Sequence, residues 1–177
     1  MILLEDTRNQ INKHDLKHKY FEKTGIEYQR CRLYVGDYTL ANDQSICIDT
    51  KKDIQELVGD ICGKSHERFR NELLRAQEAN IKLIILVENV GGLIKGTRDI
   101  YNPTITELSQ LHSWKNPRLF ICKHGRQLYP TAVKGQTLMK ACYTMEKKYG
   151  CEFLFCRPEE AGKRIVEILT DEKTGTI

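Results

Sequence analysis

"VGDYTLANDQSICIDTKKD", residues 35–53, is the stretch on which the fold turns. Apolar and polar residues alternate around a short polar segment, the pattern of two antiparallel strands with one face buried. Three charges are out of place in it. Asp37, Asp49 and Lys51 occupy strand positions, where Asp and Lys are depleted. A three-residue turn at Asn42, Asp43 and Gln44 is a common hairpin length. It pairs Ala41 with Ser45 and, counted outward, Asp37 with Asp49. Directly opposed β-carbons lie about 5 Å apart, and like charges there are destabilising unless something neutralises them. Two converging carboxylates are the beginning of a Mg²⁺ site, with the carbonyl of Thr50 a further oxygen ligand. Lys51 returns to the same face about 6.6 Å along the strand.

Two oxygen ligands and an ammonium around one point suit phosphodiester hydrolysis. A bound metal lowers the pKa of its water and shields negative charge as it develops. The lysine either orients that water, helps deprotonate it, or serves as a fixed cation, and spacing does not choose among these. A short motif is weak evidence. An isolated D-x-K triplet is more often a solvated ion pair on an edge strand, and Asp37 after Gly36 also suits a turn. A two- or four-residue turn puts Asp37 on the opposite face.

Outward from the hairpin, "MILLE" reads as a short buried strand. Residues 9–22 form a polar helix ending at Thr24-Gly25, and the strand before the hairpin runs through Cys31, Leu33 and Val35. Ile54, Leu57, Val58 and Ile61 follow the spacing of an amphipathic helix. A second helix covers "HERFRNELLRAQEA", and "IKLIILVE" is a central strand buried on both faces. A glycine-rich loop follows, then a helix from Thr104 to about His112, a strand at "RLFICK" and a helix over "GQTLMKACYTMEKKYG". The strand "CEFLFC" and a closing helix with Pro158 in its first turn complete the chain. The expected fold is a mixed α/β sheet flanked by helices, one domain over residues 1–177.

Composition narrows the class. With 177 residues and 40% apolar content the chain has enough material for one core. A net charge of +4 is compatible with nucleic acid without singling it out. Seven scattered cysteines contain no C-x-x-C pair; those inside "SICID" and "LFICK" read as reduced core thiols, which speaks against zinc or a disulfide framework. The charged N-terminus is no signal peptide and no run reaches membrane length, so an intracellular protein is expected, in cytoplasm, nucleoid or nucleus. "HERFR" lacks the second histidine of a zinc-protease helix, and "GGLIKGT" lacks the G-K-[ST] ending of a nucleotide loop.

The order strand, G-D, strand, acid-x-K, helix resembles the PD-(D/E)xK nuclease superfamily, and more specifically the nuclease domain of the XPF family of structure-specific DNA endonucleases. "EDTRN" matches that family's D-x-R-E at Asp6, Thr7, Arg8 and Asn9. "VGDY" matches its glycine-aspartate-aromatic motif, and "DTK" its E-R-K, followed by an acid on the next helix, here Glu56. The resemblance runs over residues 1–170 and implies a restriction-endonuclease-like fold. It also implies Mg²⁺ or Mn²⁺ as cofactor, flapped or branched DNA as substrate, and a place in DNA repair or recombination. Asp37, Asp49 and Lys51 would be the principal catalytic residues, with Asp6 and Glu56 behind them. Arg68 and Arg8, then Lys64 and Arg70, would meet DNA. Asparagine at 9, aspartate at 49, threonine at 50 and a helix acid displaced by one residue depart from the family pattern. The helix-hairpin-helix domain usual in the family finds no room, which implies a homodimer or a partner protein for recognising branched DNA. The altered positions also keep open a non-catalytic DNA-binding or scaffold subunit, and the superfamily keeps open a Holliday-junction resolvase.

Overall fold

The computed structural model describes residues 1–10 and 14–171. Ten strands and five α-helices lie along them. They are β1 (Ile2–Asp6), α1 (Asp15–Thr24), β2 (Glu27–Cys31), β3 (Tyr38–Leu40), β4 (Asp43–Lys51), α2 (Ile54–Cys62), α3 (His66–Glu78) and β5 (Lys82–Glu88). After these come β6 (Gly92–Leu93), β7 (Tyr101–Asn102), β8 (Cys122–Lys123), β9 (Arg126–Gln127), α4 (Gly135–Tyr149), β10 (Glu152–Cys156) and α5 (Ala161–Asp171). Six strands make the central sheet in the order β10-β5-β4-β3-β1-β2, and β6–β7 and β8–β9 are small separate hairpins. β10, β5 and β4 run parallel; β3 is antiparallel to both β4 and β1. The expected mixed α/β sheet flanked by helices is therefore present.

Side-chain alternation on the central strands builds a core on each face. Leu83, Ile85 and Val87 of β5 join Leu57, Phe69, Leu73 and Leu138 from α2, α3 and α4. Ile84 and Leu86 join Phe21 of α1 and Ile165 and Leu169 of α5 on the other side. Each fully buried Leu, Ile or Phe is worth roughly 1.5–3 kcal/mol of transfer free energy, so the sheet is clamped from both sides. On β4, Cys47 faces the α2–α3–α4 layer and Ile48 the α1–α5 layer. Asp49 and Lys51 share the parity of Cys47, which directs them under α2 and α3. Among the described residues no helix is long and apolar enough to cross a membrane.

The hairpin differs from expectation in an instructive way. Its turn is Ala41-Asn42, because Leu40 pairs with Asp43. Tyr38 nevertheless pairs with Ile48, so two steps along β3 match five along β4 and three residues bulge out. An odd excess exchanges the faces, and the site end recovers the register that a three-residue turn without a bulge gives. Asp43 supports the bulge by accepting from the Ser45 amide at 3.0 Å and hydroxyl at 2.6 Å, and Thr39 Oγ1 donates to the Ile46 carbonyl at 2.7 Å.

Other elements also depart from the sequence reading. α1 starts at Asp15 rather than residue 9; part of the expected first turn lies outside the described residues. β2 stops at Cys31, since the Leu33 amide donates to Asp6 Oδ2 at 3.0 Å rather than to a neighbouring strand. "RLFICK" is not a core strand: residues 117–120 form a 3₁₀ turn and β8 is an exposed two-residue strand carrying an exposed Cys122. The helix expected at 104–112 is a 3₁₀ segment over Leu108–Ser113. Trp114 is buried in the core.

Candidate active site

A cleft of about 400 Å³ opens at the edge where β4 and β5 end, lined by Asp37, Asp49, Thr50, Lys51, Glu72 and Glu88 among others. Gly36 creates its floor. Its φ of +72° is in the left-handed region, and a Cβ there would sit 2.9 Å from the Ile48 carbonyl oxygen. That kink lets the Asp37 amide donate to Ile48 O at 2.7 Å while its carboxylate turns toward β4. Asp37 Oδ2 accepts from the Thr50 amide at 2.8 Å and the Thr50 hydroxyl at 2.5 Å. Threonine at 50, a departure from the family pattern, thus holds the first carboxylate in place.

The second carboxylate is buried and crowded. Lys51 Nζ lies 2.6 Å from Asp49 Oδ2 and 2.8 Å from Asp60 Oδ2, and 5.1 Å from the centre of the Phe69 ring. Lys51 is the close cation of both oxygens, and each carboxylate oxygen has a second lone pair, so both retain unused capacity. Burial pushes the Asp49 carboxyl up to about 8; the charges of Asp37 and Glu72 push the same way against the Lys51 ammonium. Asp37 is also raised, by burial first and by Glu72, against the Thr50 hydrogen bonds. Burial pulls the Lys51 pKa down, but Asp49 and Asp60 outweigh it and the net shift is upward. One ammonium therefore serves two carboxylates while two more crowd Asp49.

This donor set fits a hard divalent cation. Asp37 and Asp49 converge on one cleft and repel one another, and the buried Asp49 carboxylate has the shared Lys51 ammonium as its counter-charge. Among the described residues no three His, Cys, Asp or Glu side chains gather around a single point. Two carboxylates, with water and substrate in the remaining positions, is the way Mg²⁺ is usually held.

Around this centre, Arg68, Glu72 and Arg75 of α3 line the cleft at i, i+4 and i+7. Glu72 Oε1 accepts from the Gly36 amide at 2.9 Å. Arg70, on the opposite side of α3, and Lys64 before it are exposed and do not line the cleft. Arg8 does line it, half-exposed, and grips Asp6 through Nε at 2.9 Å and Nη2 at 2.6 Å. Asp6 is buried outside the cleft lining, its oxygens committed to Arg8 and to the Leu33 amide; it braces Arg8. Glu56 sits exposed on the rim, its Oε2 accepting from the Lys52 amide at 2.9 Å at the start of α2.

A scan of family models matches the ERCC4 domain over residues 6–169. The chain belongs to the ERCC4-domain family. Among solved structures this ERCC4 domain is similar to XPF from Aeropyrum pernix, at 15% identity and a TM-score of 0.58 over 99% of its length. It is similar to the same protein in complex with DNA, at 17% identity and a TM-score of 0.59 over 98%. The domain spans 63% and 64% of those two chains. No curated protein matches it. The sheet and its flanking helices follow the fold found in XPF.

Three acids of this ERCC4 domain escaped the sequence reading as site residues. Asp60 falls on the apolar stripe of α2, three residues after Leu57, and a charge on a buried stripe was its visible signal. Glu72 gave none: between Arg68 and Arg75 it reads as an ordinary solvated ion-pair partner. Glu88, at the end of β5, stands where a sheet's carboxyl edge often meets a site, but it suits a cap for the following loop somewhat better. It instead pairs with Lys17 of α1, a buried partner, while Asn89 caps the loop through two hydrogen bonds to the Ile105 backbone at 2.7 and 2.9 Å.

Proposed function

We propose that this chain is a divalent-metal-dependent DNA endonuclease, using Mg²⁺ or Mn²⁺, that cuts flapped or branched duplexes. The observation that carries the reading is the convergence of Asp37, Asp49 and Lys51 in one cleft beneath a basic face of α3. Asp37 and Asp49 would hold the cation, with the Thr50 carbonyl as a further oxygen. When bound, the ion supplies an activated water and shields charge on the phosphoryl oxygens. Lys51, flanked by two carboxylates, favours its charged form and acts as a fixed cation that steadies Asp49 and faces the reacting phosphate. Thr50 fixes Asp37, and Gly36 and Glu72 fix the backbone that carries it. Arg68, Arg75 and Arg8 meet the phosphate backbone, contacts that position DNA without reading sequence. A second copy or a partner protein supplies the recognition of branches.

Cleavage of an end-labelled splayed or flapped duplex with Mg²⁺ or Mn²⁺, wild type against Asp49→Ala, tests this. Wild type cuts and the variant does not. Equal cutting by both removes the catalytic assignment; DNA binding without cutting by either makes the chain a non-catalytic DNA-binding subunit. That second reading has its support in Asn9, where the family pattern has glutamate and where the buried side-chain amide nitrogen has no hydrogen-bond partner among the described residues. Paired symmetric nicks in a four-way junction would identify a resolvase.

A further inference from the structure

Between Leu108 and Met145 the chain carries six of its 28 Lys and Arg residues and none of its 24 Asp and Glu residues. The remainder holds 22 basic against 24 acidic residues, so the whole positive excess comes from this one stretch. At its middle is the β8–β9 hairpin, within a run, residues 121–130, in which every residue is exposed. Such exposure in a short hairpin is usually accompanied by disorder, yet this one is built. His124 and Gly125 have φ of +50° and +72°, the two positive values of a type I′ turn. The Leu128 amide donates to the Ile121 carbonyl at 2.9 Å, and the Gln127 side chain clasps the Leu119 carbonyl.

Two cations face each other across that hairpin. Lys123 pairs with Arg126 in register, which places their β-carbons about 5 Å apart. Neither has an acidic partner among the described residues. A like-charge pair costs stability in the free protein, and a bound anion reverses the sign.

Topology puts the root of the arm at the sheet edge on which the cleft opens. β4, β5 and β10 are parallel and end at the same edge, in Lys51, Glu88 and Cys156. α4 feeds β10 through Gly150, so the far end of α4 lies back at that finishing edge, about 22 Å away at 1.5 Å per residue. The arm is joined to that end at Lys134. A second cleft of about 430 Å³ links that edge to the root of the arm: Lys52, Asp53 and Gln55 line it together with Trp114 and Pro117.

We propose that the β8–β9 hairpin is a phosphate-gripping arm that holds the backbone of duplex DNA flanking the cut, with Lys123 and Arg126 as its two contacts. This rests on the DNA reading above and extends it to a surface outside the α3 face. The occupant is duplex rather than single strand because single-strand grips add aromatic platforms to charge. "CKHGRQ" contains no Phe, Tyr or Trp, and the nearby Tyr129, though exposed, already has the Arg118 guanidinium over its ring at 5.8 Å. Contacts of this kind are blind to sequence and sensitive to salt.

The test is fluorescence anisotropy of a labelled 30-bp duplex and of one of its strands, in EDTA so that nothing is cut, at several salt concentrations. Wild type is compared with Lys123→Ser/Arg126→Ser and with the charge-preserving Lys123→Arg/Arg126→Lys. Loss of two phosphate contacts is expected to flatten the log Kd against log salt slope by about 1.8 and weaken duplex binding roughly 50-fold at 0.1 M salt. The charge-preserving variant should bind and melt like wild type, and the serine variant, relieved of the like-charge pair, should melt at the same temperature or slightly above. An unchanged slope in the serine variant, or a loss confined to the single strand, overturns the arm and leaves the nuclease reading standing. A wild type that binds no DNA overturns both; a wild type that binds through the arm but never cuts with Mg²⁺ or Mn²⁺ overturns catalysis alone.

Discussion

Asp60→Asn is the substitution that asks most of the site. Asp60 is buried on α2, with Oδ2 at 2.8 Å from the Lys51 ammonium, which also lies 2.6 Å from Asp49. Arg68 approaches it at 3.7 Å but is largely exposed and adds little. Asparagine keeps the volume and removes the charge. Because Lys51 retains Asp49, the loss is that of one buried charge-assisted contact, about 1.5–3 kcal/mol, rather than the 3–5 kcal/mol of a stranded ion. For a chain of this size that lowers the melting temperature by roughly 3–12 °C. The functional effect runs through Asp49. With Asp60 neutral, Lys51 is drawn wholly to Asp49, which then offers less negative charge to a cation. Steady-state cutting of a flapped duplex across a Mn²⁺ titration should show a 10–100-fold loss, the size expected when a partner of a metal ligand is removed. Part of it should be recovered at high Mn²⁺, and duplex binding in EDTA should stay within about twofold. A variant that melts lower yet cuts like wild type at every Mn²⁺ concentration refutes the argument and leaves Asp60 a structural residue.

Three further perturbations bear on the scaffold. Gly36→Ala meets about 1–2 kcal/mol of left-handed strain as well as the approach to the Ile48 carbonyl. It should lower both the melting temperature and the rate of cutting, and an unchanged melting curve would contradict the kink. Thr50→Val removes the 2.5 Å hydroxyl contact to Asp37 but keeps the amide; cutting should fall about tenfold, the net worth of one such bond, and Thr50→Ser should restore it. Arg8→Ala tests the brace on Asp6. Burial raises the Asp6 pKa, but hydrogen bonds from the Arg8 side chain and from the Arg8 and Leu33 amides outweigh it, so the folded value lies below the ordinary one. That stabilisation is complete above about pH 3.9 and is lost as pH falls through the lower folded value. Arg8 being half-exposed, the deficit of the variant at pH 7 should be only about 1 kcal/mol in urea, shrinking as pH falls below about 3.9; a deficit constant with pH would rule out the ion pair as its source.

What the sequence made legible followed from periodicity. The β-branched run of β5, the stripe of Ile54, Leu57, Val58 and Ile61, and the glycine stops at Gly25 and Gly150 stand in the structure as their spacing implies. The misreadings came from contacts made far along the chain. "RLFICK" has strand propensity, but it follows a turn that packs Trp114 into the core and leaves the next residues to solvent, and tertiary context overrides propensity. The strand expected through Val35 ends early because Asp6, 27 residues before Leu33, captures its amide. Glu72 and Glu88 reach the cleft only through α3 and the sheet edge, which no local pattern encodes.

The hairpin shows how a wrong local detail can coexist with a right site. Turn and register are coupled only when the ladder is regular, and a bulge of three residues uncouples them. The face of Asp37 is instead set by Gly36 and by the Thr50 hydrogen bonds, both next to the site. Burial on the other face demands the same outcome, since reversing the alternation of β4 would carry Asp49 and Lys51 into the apolar layer of Phe21 and Ile165 and expose Ile48. The site lies where β4 changes from an antiparallel neighbour, β3, to a parallel one, β5. The parallel strands leave their ends open at that edge, and the antiparallel neighbour starts there, so carboxylates from both can meet without crossing the core. A site of this kind needs only a kink and a carboxylate before β3 and two charges at the end of β4, which is why it could be read from nineteen residues while Asp60 and Glu72, on the helices above it, could not.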